Sequence, residues 1–220
     1  MNAIECILTR MSIRKFKPDS VSRDILEDVI KTAQRSPSYK NSQPWELIIL
    51  SGQKKAELTK ILTDLLEKKE EANPDIAKPS GWPAEIEARI KDNLEKRSKA
   101  YGIDLADPES IIKSKKANYR FYGAPHCIFL FQDASLNEWS IFDMGIFTQS
   151  IMLAANARGL GTVPQAYLID YSSQVRKFLG IPESKRLVLG MSIGYPENDD
   201  RINSFRTERV DVNQILRWIE

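Results

Sequence analysis

The chain has 220 residues, with 32 Lys and Arg against 30 Asp and Glu, a formal net charge of +2. That length can bury a full core without disulfides or metals, and 42% hydrophobic with 28% charged residues is a globular composition, neither disordered nor fibrous. The charge balance excludes a general nucleic-acid or membrane-surface protein, so any anion site must be local. The longest strand-like apolar run, Cys127–Phe131, falls far short of a membrane span. The opening residues lack the basic and apolar pattern of a secretion signal, and Cys6 and Cys127 make no disulfide framework, so a reducing, cytoplasmic setting is expected.

Asn2 with Glu5 reads as a capping box for a short helix whose Ile4, Ile7, Leu8 and Met11 share a face. Ser22 caps a predicted helix over residues 23–35, with Ile25, Leu26, Val29, Ile30 and Ala33 on its buried stripe, and Ser36-Pro37-Ser38 stops it. Residues 44–50 read as an interior strand. Leu58, Ile61, Leu62, Leu65 and Leu66 mark an amphipathic helix over 53–71. A Pro-rich stretch then leads to a charged helix opened by Pro83, and Asp107-Pro108 starts another that ends near Asn118. Residues 73–117 thus form a helical excursion from the core.

A second strand is expected over 126–132, and Ser135 with Glu138 suggests a capping box for a long helix to about Arg158, closed by Gly159. Strands at 163–169 and 187–193 flank a short helix ending at Gly180, and from about residue 196 the chain continues as an extended polar arm until Asp211 caps a last turn. This order is not a strict alternation of strand and helix, so it argues for an α+β fold in one domain over 1–220.

Several chemistries are poorly served. His126 is the only histidine, and with Cys6 and Cys127 it supplies no set of metal ligands, so no metal is expected. Gly159-Leu160-Gly161 follows a helix rather than a strand and has Pro164 where a third glycine belongs, which excludes a dinucleotide-binding turn. What remains is a distributed set of anion binders: Arg10, Ser12 and Arg14, then Ser38 and Asn41, then Arg206 and Arg209. In an extended segment, residues 10, 12 and 14 share one side, giving two guanidiniums and a hydroxyl to one phosphate.

Thr9-Arg10-Met11-Ser12-Ile13-Arg14-Lys15-Phe16 resembles the opening signature of the FMN-dependent nitroreductase family. Residues 36–45, Asn118 with 121–125, and Asp143, Gly145, Gln149, Leu153, Ala154, Ala155, Gly159, Leu160 and Gly161 in the long helix and its exit turn resemble its later blocks in order. The resemblance implies a three-layer sandwich with a central, mostly antiparallel sheet flanked by helices, working as an intertwined homodimer. FMN would bind non-covalently at the interface, with NADH or NADPH as donor, and ping-pong hydride transfer through flavin N5 would reduce a small aromatic acceptor, a nitroaromatic or a quinone.

By position, Arg10, Met11, Ser12, Arg14, Arg206 and Arg209 are then expected at the phosphate and ribityl end, and Pro37, Ser38 and Asn41 along the ribityl and ring, the last two from the partner subunit. Asn118 would meet the pyrimidine edge, and the turn Pro164-Gln165-Ala166 would approach N5. Tyr39, Trp82, Phe121 and Tyr122 are expected as pocket walls. No side chain is assigned as catalytic, and neither nucleic acid nor membrane is expected as a partner. The same resemblance also admits reductive dehalogenation, other flavin chemistry, or a flavin-binding redox sensor without substantial turnover.

Overall fold

The computed structural model describes residues 1–220. Four strands, β1 (Glu46–Ser51), β2 (His126–Asp133), β3 (Gly161–Gln165) and β4 (Lys185–Gly194), form one antiparallel sheet in the order β1-β2-β4-β3. Seven α-helices surround it: α1 (Ala3–Thr9), α2 (Arg23–Ala33), α3 (Gly52–Glu67), α4 (Ala84–Tyr101), α5 (Pro108–Tyr119), α6 (Glu138–Asn156) and α7 (Ser172–Leu179).

β2 shows why the architecture has three layers. Its alternation sends Ile128 and Leu130 into a core shared with α2 and α6, and Cys127, Phe129 and Phe131 into a second core shared with α3, Leu168 and α7. Both faces of the strand are therefore dry. The capping box at Asn2 and Glu5 and the Ser22 cap form as the sequence predicts.

Four local expectations are corrected. Residues 46–51 form an edge strand, because β1 pairs only with β2, and only Leu50 in it is fully buried. The long helix is capped by Asn137, whose side chain accepts from the Trp139 amide at 3.2 Å, because the Ser135 hydroxyl is engaged by Asp133 at 2.6 Å. β3 begins at Gly161 and ends at Gln165, after which residues 166–169 turn into a 3-10 helix. The turn is possible because Gly190 has no Cβ: one placed there would sit 2.5 Å from Leu168, which crosses the strand at that point. The final turn capped by Asp211 is a 3-10 turn, Val212–Gln214, with Ile215 and Trp218 exposed after it.

The N-terminal segment and the C-terminal arm lie side by side. Ile13 N–H donates to Thr162 O at 3.0 Å, so Ser12 and Ile13 lie against the β3 edge of the sheet. Gly161 makes that approach possible, since a Cβ there would sit 2.6 Å from the Ile13 side chain. The arm returns antiparallel to it, with Glu197 N–H donating to Lys15 O and Lys17 N–H to Tyr195 O. No helix is long and apolar enough to cross a membrane.

A candidate anion-binding cleft and its surroundings

Buried Asn203 clamps the two segments. Its Oδ1 accepts from Arg14 N–H at 2.8 Å, while its Nδ2 donates to Lys15 O and Glu197 O, both at 2.8 Å. Arg206 adds a bond from its guanidinium to Thr9 O at 2.7 Å. The result is a cleft of about 500 Å³ into which Arg10, Met11, Ser12, Arg14, Arg206 and Arg209 all project. Residues almost 200 positions apart in sequence thereby meet (209 − 10 = 199).

Sequence reasoning missed several lining residues. Asn93 and Arg97 come from α4, Gln149 from α6, and Phe205 and Thr207 from the arm. The signal for the first two was weak but present: Asn93, Arg97 and Tyr101 recur at helical spacing and so share a face. The same helix carries Ile86, Ile90 and Leu94 on an adjoining side, and beside them these polar residues read as an ordinary solvated face.

Electrostatically the cleft is strained in one direction. Five arginines line it and no carboxylate does. Burial, and then repulsion from Arg209 and Arg206, pulls the Arg10 guanidinium below its ordinary value. The Arg97 Nε is buried and has no partner. Arg10, Arg14 and Arg97 are half-buried and Arg206 and Arg209 exposed; crowding five cations without a counter-charge is costly, and a phosphate monoester, with a charge near −2 and three acceptor oxygens, would relieve that cost. These residues therefore fit the phosphate of FMN.

Other expected site residues lie elsewhere. Tyr122 is half-buried next to Arg14, Asn118 and Arg97, and burial lifts its phenol above the usual range against their pull. Asn118 does not offer a free amide: its Nδ2 donates to Ser114 O at 2.8 Å and its Oδ1 accepts from Gln165 Nε2 at 3.1 Å. Gln165 is itself buried, with Oε1 bonded to the Ser192 hydroxyl. Pro164 is half-buried and Ala166 exposed at the end of β3. Phe121 corrects the expectation of a pocket wall, since its ring is fully buried edge-on to Phe129, 6.3 Å away. Trp82 is 49% exposed and does not line the cleft.

Pro37, Ser38, Tyr39 and Asn41 form a separate region. Ser38 Oγ accepts from Gln43 N–H at 2.9 Å, and the Tyr39 amide donates to the Asp143 carboxylate on α6 at 3.1 Å. Lys40, Asn41 and Gln43 hold positive φ values of 49°, 57° and 47°, a strained run of the kind that concentrates at functional loops. Tyr39 stacks on Trp139 at 5.9 Å, and Trp139 meets Phe142 edge-on at 6.3 Å. These aromatic rings face outward.

An α+β sandwich carrying an arginine cleft beside its third strand is the frame of a phosphate-bearing cofactor protein. The model of the nitroreductase family matches residues 7–195, and the chain belongs to that family. It is similar to a 4-nitrobenzoate reductase of Pseudomonas putida, 31% identical over 92% of this chain and 89% of the relative. In structure it is similar to the FMN-dependent nitroreductase NfnB of Mycobacterium smegmatis, solved in complex with NADPH, with a TM-score of 0.94 and 30% identity over 99% of this chain and 98% of that one. The FMN- and NADPH-dependent NfnB of Sphigopyxis sp. strain HMH superposes with a TM-score of 0.96 at 27% identity, covering 100% of both chains.

Proposed function

We propose that this chain is an FMN-dependent NAD(P)H oxidoreductase that reduces nitroaromatic compounds, with quinones as a further acceptor class. The observation that carries the reading is the cleft of five arginines without a carboxylate, set on a nitroreductase fold. The names of the relatives support the substrate class, since they include a 4-nitrobenzoate reductase and two FMN-dependent nitroreductases.

In this reading Arg10, Ser12, Arg14, Arg206 and Arg209 hold the phosphate end through charge-assisted hydrogen bonds, each contributing on the order of 1.5–3 kcal/mol. Bound flavin supplies the hydride chemistry, and the protein supplies orientation and a positive field. The absence of an assigned acid-base pair fits that division. Gln165 and Asn118, bonded to each other, would act by fixing the Pro164–Ala166 turn rather than by offering their side chains to the cofactor, leaving that contact to the backbone of the turn.

The working unit is a homodimer of single-domain chains. Ile4, Ile7 and Leu8 on α1, Trp139 and Phe142 on α6, and Trp218 and Ile219 in the tail are between 54% and 90% exposed. Large apolar side chains exposed to that degree support a docking face in which α1 and α6 would take part. Ser38 and Asn41, absent from their own chain's cleft, would then complete the partner's. Two buried, free cysteines support a reducing cytoplasm.

The test is the absorption spectrum of the purified protein, followed by anaerobic NADPH or NADH and then a nitroaromatic. Flavin bands that bleach with the nucleotide and return with the acceptor are expected, with FMN in the supernatant after heating. A colourless protein that fails to bind added FMN would overturn the reading.

A further inference from the structure

We propose that Arg97, on the excursion helix α4, is a direct ligand of the cofactor phosphate, which makes α4 a closing wall of the phosphate subsite. The inference rests on the FMN reading above and adds a residue on the helical excursion to which the sequence reading gave no role. Arg97 lines the same cleft as Arg10, Arg14 and Arg209, and its Nε–H is buried without a partner. A buried donor left unsatisfied is costly unless a ligand oxygen meets it.

The way α4 is held points to the same role. None of its residues is buried, so the core does not fix its position. The helix is tethered instead by the arm that carries the other phosphate-binding arginines. Lys96 pairs with Glu208 at 2.7 Å, Tyr101 meets Phe205 edge-on at 6.3 Å, and Arg201 Nε donates to Ala100 O at 2.5 Å at the C-terminal end of the helix. The Tyr101 ring also lies 5.7 Å from the Arg97 guanidinium and steadies it. Helix and arm thus reach the cleft as one unit, and a phosphate bridging Arg97 to Arg209 would join them a second time.

Comparing FMN with riboflavin isolates the phosphate. Dissociation constants for both would be measured by flavin fluorescence with the full-length apoprotein, for wild type, Arg97→Met, Arg97→Lys and the solvent-facing control Lys91→Met. Wild type is expected to prefer FMN, and Arg97→Met to shrink that preference tenfold or more with riboflavin affinity unchanged. Arg97→Lys should recover part of the loss, since it keeps the charge but not the fork of donors, and Lys91→Met should match wild type. An unchanged preference in Arg97→Met, or an equal loss for both flavins, would overturn the role of Arg97 while leaving the FMN reading intact. Wild type binding neither flavin would overturn both.

Discussion

The arginine cleft and the loop at residues 37–43 differ in one instructive way. The cleft is assembled within the chain: Asn203 and Gly161 bring the N-terminal segment and the arm together, and the guanidiniums converge on one cavity. The loop is equally well built, with its Tyr39 amide fixed by Asp143 and three residues at positive φ, yet its aromatic neighbours Trp139 and Phe142 are 60% and 62% exposed. A strained, carefully bonded loop beside exposed aromatic rings has the form of half an interface. In the proposed homodimer the site would divide into a half finished within one chain and a half completed by a second copy.

The largest expected effect comes from removing that second copy. Charging the open face with Phe142→Asp and Ile4→Asp, neither of which lines the arginine cleft, should convert dimer to monomer in sedimentation velocity and abolish FMN retention, although that cleft lies intact in each chain. A monomer that keeps its flavin would break the comparison. Within the finished half, Arg10→Met should weaken FMN binding by about 1.5–3 kcal/mol in a fluorescence titration, with little change in oligomeric state.

Next in size is Gly161→Ala. Its Cβ would lie 2.6 Å from the Ile13 side chain, so the N-terminal segment must move. A stability loss of roughly 1–3 kcal/mol by denaturant titration is expected, with weaker FMN binding because Ser12 and Arg14 move with Ile13.

The smallest effect is a pH dependence remote from both halves. Buried His126 accepts the Val21 amide at Nε2, at 3.0 Å, and burial together with the Lys55 charge holds its pKa below the ordinary value. Protonation is therefore easier in the unfolded chain. The neutral form's contribution is fully present above the unfolded pKa, about 6.5, and declines as pH falls from there toward the lower folded value. His126→Gln should flatten that slope in thermal melts between about pH 7 and 5.

Much of this was legible in the sequence because it rests on local rules. The Asn2–Glu5 capping box, the Ser22 cap and the α2 stripe are short-range signals; Arg10, Ser12 and Arg14 share one cleft, but Met11 lines it too, so strand alternation does not account for the set. What escaped depends on contacts distant in sequence. The end of β3 is set by Leu168 crossing Gly190, and the helix cap moved to Asn137 because Asp133 holds Ser135. Four aromatic residues at 119–122 and 82 read alike on paper, but positive φ at Phe121 and Tyr122 turns one ring into the core and leaves the other near Arg14. Arg97 was hidden in a run of charges whose only distinguishing feature is what the C-terminal arm places opposite it.

The most direct test of the divided site is complementation between two defective chains. One would carry Arg10→Met with Arg14→Met, damaging the cleft, and the other Asn41→Ala with Ser38→Ala, damaging the loop; each alone should bind FMN poorly. Equal mixing with subunit exchange gives heterodimers with one site intact and one doubly damaged, so recovery of about a quarter of the wild-type flavin content is expected. Verified heterodimers that recover no flavin would contradict the claim that the two halves meet across an interface.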